Sequence, residues 1–117
     1  MPPPSQLAIA TSSVNRLLKE EASYHKELEQ EEAKVQALKD KIAAGSDDEN
    51  ATYMLKQQQT ALEQTKAVFE PIRQNIAAAV EKLEEQLAVS EQLNAPEEQV
   101  KQAKETLAKA KATQTDP

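Results

Sequence analysis

The feature that most limits what this chain can fold into is a row of large apolar residues seven positions apart: Leu55, Leu62, Phe69, Ile76 and Leu83, without a miss. Seven residues is close to two turns of α-helix, so the five side chains fall along one stripe of a helix. The row predicts a single long helix over about residues 49–90. Before Pro71 the stripe widens through Met54, Ala61 and Val68; after it, through Ile72, Ala79, Val80 and Leu87. The apolar face therefore moves around the helix at the proline. Pro71 has no N–H, and its ring clashes with the carbonyl four residues back. A kink near Ala67–Pro71 is expected, and not a break, because the row stays in phase across it.

A second row of the same period precedes it. Val14, Glu21, Leu28, Val35 and Ile42 recur every seven residues, with Leu17, Tyr24, Glu31 and Leu38 as the companion row. This predicts a helix over about 13–44, capped at its start by Ser12 or Ser13 and at its end by Gly45. The prolines of MPPPSQLAIATSS suggest a disordered start over residues 1–12. The polar turn SDDEN follows Gly45, with its acids beside the N-terminus of the next helix, where the macrodipole favours negative charge. A third helix, over about 96–111, is signalled by Pro96 at a first helical position followed by Glu97 and Glu98. Its stripe, Val100, Ala103, Leu107 and Ala110, is thin, so it gains least from docking and is expected to open first. Residues 112–117 read as a frayed tail. Short connections make consecutive helices antiparallel. The expected fold is all-α: an elongated, antiparallel, coiled-coil-like three-helix bundle with a kinked second helix and a short third one.

Composition removes several function classes. The chain has 117 residues, enough for one domain, with no Cys, no Trp, a single Gly and 3% aromatic residues. Ligand pockets are walled by aromatic and apolar side chains, and that material is scarce. Without Cys there is no disulfide or thiolate metal site. The net charge of −6 comes from 14 Lys+Arg against 20 Asp+Glu, with signs that alternate along most of the chain. No basic stripe for nucleic acid is visible. The longest apolar run, Ile76 to Val80, is far short of the ~20 residues that span a bilayer, and the N-terminus lacks the charged and apolar regions of a signal peptide.

Few residues could carry chemistry. The lone His25 would need further ligands, and Glu29 at i+4 makes only two, whereas catalytic zinc uses three; its other reading is a histidine at the edge of the seam. Glu20, Glu21, Glu27, Glu29 and Glu32 read as a solvated face with Lys19, Lys26 and Lys34 as ion partners. Glu31 lies on the seam row, and its burial is left open. DDEN lacks the remaining positions of an EF-hand. No phosphate-binding glycine loop or nucleophile elbow occurs, so neither an enzyme nor a cofactor is expected. Two features could serve binding. Tyr24, Tyr53 and Phe69 are the only aromatics, and they suit either an interface or the core. Gln57, Gln58, Gln59, Thr60, Gln64 and Thr65 make a polar, uncharged helix face that suits either docking or solvent.

The segments VNRLLKEEASYHKE, ENATYMLKQQ, LEQTKAVFEP, IAAAVEKLEEQL and EEQVKQAKETL, in this order and with a proline inside the second helix, resemble the tubulin-binding cofactor A family over about Thr11 to Lys111. The Pro-rich start and Pro96 depart from the family pattern. The resemblance implies a cytoplasmic, cytoskeleton-associated chaperone. It would hold β-tubulin after release from the cytosolic chaperonin and before assembly with α-tubulin, meeting other tubulin-folding cofactors only indirectly. It implies no nucleotide, metal, nucleic acid or membrane, and a monomer or weak homodimer. It places the partner contacts on the first two helices, with candidates Arg16, Lys19, Glu20, Tyr24, Glu27, Lys56, Gln57, Glu63 and Lys66. The rival reading is a structural coiled-coil or spectrin-like module of an adaptor or trafficking complex.

Overall fold

The computed structural model describes residues 5–45 and 49–114. They form three α-helices, α1 (Gln6–Ala43), α2 (Glu49–Gln92) and α3 (Glu97–Gln114), and no strand among the described residues. The all-α, three-helix expectation holds. Direction follows from cross-helix pairs. His25 meets Phe69 and Glu31 meets Thr65, so residue numbers fall on α2 as they rise on α1, and the two are antiparallel. Glu91 pairs with Lys104, in keeping with an antiparallel α2 and α3. Ser5 with Gln99 and Asn15 with Thr106 rise together, so α3 runs parallel to the start of α1.

The start of α1 corrects the sequence reading. The helix begins at Gln6, inside the stretch expected to be disordered. Ser5, and not Ser12 or Ser13, is the cap: its Oγ accepts the Ala8 N–H at 3.0 Å and its carbonyl accepts the Ile9 N–H. Stepping back seven residues from Val14 and Leu17 lands on Leu7 and Ala10. Both are buried, so the heptad rows already continued into this segment. The prolines at 2–4 stop short of it, and Met1–Pro4 lie outside the described residues.

The other boundaries have identifiable causes. Gly45 takes φ +93°, the left-handed conformation of a helix C-cap, and its N–H reaches the Ile42 carbonyl at 3.1 Å. Asp47 and Asp48 lie outside the described residues; Glu49 opens the first turn of α2. α2 passes through Pro71 unbroken. It ends on Asn94 at φ +54°. The Ala95 N–H bonds the Ser90 carbonyl at 3.0 Å and the Asn94 N–H bonds that of Glu91 at 3.4 Å, the paired closure of a Schellman motif. The Pro96 carbonyl accepts the first helical bond of α3, from Val100. Pro96 is thus the N-cap, one residue outside the position expected. α3 continues to Gln114, so residues 112–114 are helical and not frayed; 115–117 lie outside the described residues.

The chain divides into two compact units, residues 21–70 and the remainder. The larger holds three helical segments. Leu7, Ala10, Val14, Leu83, Ala103, Leu107 and Ala110 close its core, with Leu18, Ala79, Val80, Leu87 and Val100 packed against them. Ile72 and Ile76 are also buried there. The smaller unit is a hairpin of two helical segments. Its buried apolar residues are Val35, Ala51 and Phe69, while Leu28, Leu38, Ile42, Leu55, Leu62 and Val68 are only half-buried. Two helices can enclose a seam and no more; three surround one.

Candidate protein-binding surface

The hairpin seam is partly polar. Glu31 and Thr65 are both buried, and the Thr65 hydroxyl donates to Glu31 Oε1 at 2.5 Å. Glu31 Oε2 is buried without a hydrogen-bond partner. Glu21, on the row of Val14 and Leu28, is also buried and not part of the solvated face that the sequence suggests. His25 lies with its ring centroid 4.5 Å from that of Phe69, tilted by 35°. This matches the seam-edge reading of the histidine, with the ring covering an aromatic face.

Of the candidate contact residues, Arg16, Lys19 and Glu20 stand in the larger unit, spaced by three and four residues and all exposed. The others belong to the hairpin. Tyr24 is half-buried on α1, and Glu27 is exposed. On α2, Lys56, Gln57, Glu63 and Lys66 are exposed. Glu63 and Lys66 form an ion pair at 3.5 Å one turn apart, with both side chains half-exposed or more; such surface pairs contribute little to stability. Lys56 and Gln57 line one shallow depression with Thr60, Ala61 and Gln64, and Lys56 lines another with Tyr53, Thr52 and Glu49. The nine candidates therefore form two groups, one in each unit.

Tyr53 is 61% exposed, and its hydroxyl accepts a hydrogen bond from Gln57 Nε2 at 3.0 Å. Met54 beside it is also exposed. An exposed aromatic with an oriented hydroxyl is the kind of anchor that interfaces use. The scarcity of aromatics singles out Tyr53 in the sequence, and its exposure follows from where the neighbouring helix lies. Of the Gln/Thr face, Gln57, Gln59, Thr60 and Gln64 are exposed, Gln58 is half-buried and Thr65 is in the seam.

The remaining concavities are open surface features. A depression of about 490 Å³ at the α2–α3 turn is lined by Asn94, Ala95, Val100 and the ion pair of Glu91 with Lys104 at 3.3 Å. Among the described residues no group of three or more His, Asp or Glu side chains could hold a metal ion. No described helix is long and apolar enough to cross a membrane.

Comparison with known proteins identifies the architecture. The sequence pattern of the family "Tubulin binding cofactor A" matches residues 2–107. Tubulin-folding cofactor A of Arabidopsis thaliana is 35% identical over 103 residues, covering 87% of this chain and 85% of the relative. The crystal structure of tubulin folding cofactor A from Arabidopsis thaliana superposes with a TM-score of 0.75 at 31% identity, covering 91% of this chain and 92% of the other. The family pattern reaches from before α1 into α3. The chain is a member of the tubulin binding cofactor A family.

Proposed function

We propose that this protein binds β-tubulin and holds it after its release from the cytosolic chaperonin, until it is passed on for assembly with α-tubulin. The observation that carries this reading is family membership spanning residues 2–107. The proposed protein works by surface contact alone, in the cytoplasm and in association with the cytoskeleton, as a monomer or weak homodimer, and meets other tubulin-folding cofactors only through the shared client. The polar helix faces support contact as the mode of action: Tyr53, Lys56 and Gln57 adjoin one another on exposed depressions of α2. The proposed contacts are Arg16, Lys19, Glu20, Tyr24, Glu27, Lys56, Gln57, Glu63 and Lys66.

Gel filtration of the protein mixed with soluble β-tubulin tests the proposal. Co-elution is expected with β-tubulin and not with duplex DNA or lipid vesicles. Replacing Lys56, Gln57, Glu63 and Lys66 together by Ala, all at exposed helical positions where Ala keeps helix propensity, should weaken binding at least ~10-fold, about 1.4 kcal/mol. No co-elution of the wild-type protein would overturn the function. Unchanged affinity of the quadruple variant would overturn the α2 part of the site.

A further inference from the structure

The α1–α2 seam has two flanks, and the structure covers only one. In the larger unit Leu18 on α1 and Val80 and Leu87 on α2 pack in the cluster that α3 completes through Leu107 and Ala110. The opposite flank is open there, with Ser13 and Ile9 of α1 lining a shallow depression with Ala78 and Lys82 of α2. Seven-residue steps carry each flank along its helix. In the hairpin unit, the flank in phase with Leu18 and Val80 is exposed and polar: His25, Glu32 and Lys39 on α1, Thr52, Gln59 and Lys66 on α2. The flank in phase with Ser13 and Lys82 is different. On α2 it carries Met54, Ala61 and Val68, and on α1 Glu27, Lys34 and Lys41.

Apolar character has therefore changed flank, and among the described residues of the hairpin unit no third segment lies over it. Met54 is 44% exposed; Ala61 and Val68 are half-buried. Lys34 and Lys41 are exposed, and the ion pairs seen among the described residues engage Lys66 and Lys104 instead. In a chain of net charge −6, these two lysines of α1 stand on the row beside the apolar strip, with Glu27 of the same row at its far end. From Met54 to Val68 the strip runs about 21 Å at ~1.5 Å per residue.

We infer that this strip is a docking groove for an amphipathic α-helix of the partner, with acidic side chains flanking its apolar stripe. The inference rests on the β-tubulin reading and names the face and chemistry of that contact. A helix of about four turns matches the strip's length and would occupy on this flank the kind of place that α3 fills on the other. The lysines select for acids beside the stripe and speed the encounter.

The test uses the full chain with purified β-tubulin. Two flank variants are compared, Met54→Glu and the double Lys34→Glu, Lys41→Glu. A control with the same charge change as the double, on α3, is Lys101→Glu, Lys109→Glu. Circular dichroism checks that each is folded, and the lysine double removes no apolar packing, so it reports even where Met54→Glu unfolds. Both flank variants should lose at least ~10-fold in affinity while the control stays within ~3-fold. Added salt should weaken the wild type more than the flank double. Failure of the wild type to bind β-tubulin overturns the functional reading. Wild-type binding with flank and control variants affected alike overturns the groove. Self-association of the wild type that Met54→Glu abolishes without tubulin would assign the groove to a second copy, and overturn this occupant.

Discussion

Leu62 and Ile76 stand on one seven-residue row yet carry different loads. Ile76 is fully buried, whereas Leu62 is half-buried, because one belongs to the three-segment unit and the other to the hairpin. Ile76→Ala should therefore cost about 2–5 kcal/mol. Leu62→Ala should cost about 1–2 kcal/mol, since the transfer term scales with the area withdrawn from water. Urea unfolding of both variants checks this; equal losses would mean that the row is uniformly enclosed. Glu31 and Thr65 make the opposite kind of pair. A buried carboxylate with one oxygen unpartnered and a hydroxyl as its donor is retained at a cost in desolvation. Thr65→Val should destabilise by about 1–3 kcal/mol by stripping that donor. Adding Glu31→Leu should recover the loss or exceed it. A double-mutant cycle by thermal unfolding decides, and a double variant no more stable than Thr65→Val would show that the carboxylate stabilises the seam by other means.

At the scale of the helix, ends and flanks decide more than stripes do. α3 has the poorest stripe, which is why its sequence suggests an early opening. The structure argues against that order. Ala103 and Ala110 are almost wholly buried, as is Thr106, whose hydroxyl meets Asn15 Oδ1 at 3.2 Å. Small residues bury little area of their own, but α3 also covers the cluster of Leu7, Val14 and Leu83. Opening α3 exposes these side chains as well, so its opening free energy exceeds what its own stripe suggests. Native-state hydrogen exchange should find Ala103–Ala110 protected to a degree similar to Ile76–Leu83, and more than Leu55–Leu62 in the hairpin. Loss of α3 protection ahead of the hairpin would restore the stripe-based order.

At the scale of the molecule, the first helical turns of α1 are part of the core. Leu7 is 1% exposed, and Ser5 reaches Gln99 of α3 at 2.8 Å. A chain lacking residues 1–12 should therefore unfold at markedly lower temperature, with Leu7 alone contributing about 2–5 kcal/mol; a melting temperature unchanged from the full chain would show that the segment only lies on the surface. The three helices and the glycine cap at Gly45 were legible in the sequence because each depends on local chemistry: a period and a left-handed φ. The nine candidate contacts came from resemblance, and their exposure, Tyr24 excepted, agrees with a surface role without testing it. What the residues by themselves determined was helix, stripe and the Gly45 cap, since these follow from side chains a turn or two apart. Only the tertiary structure decided which stripe residues are enclosed, which flank α3 covers, and that Glu31 is buried. Each of these depends on how many helices meet at one point, and the period of a single helix carries no information about its neighbours.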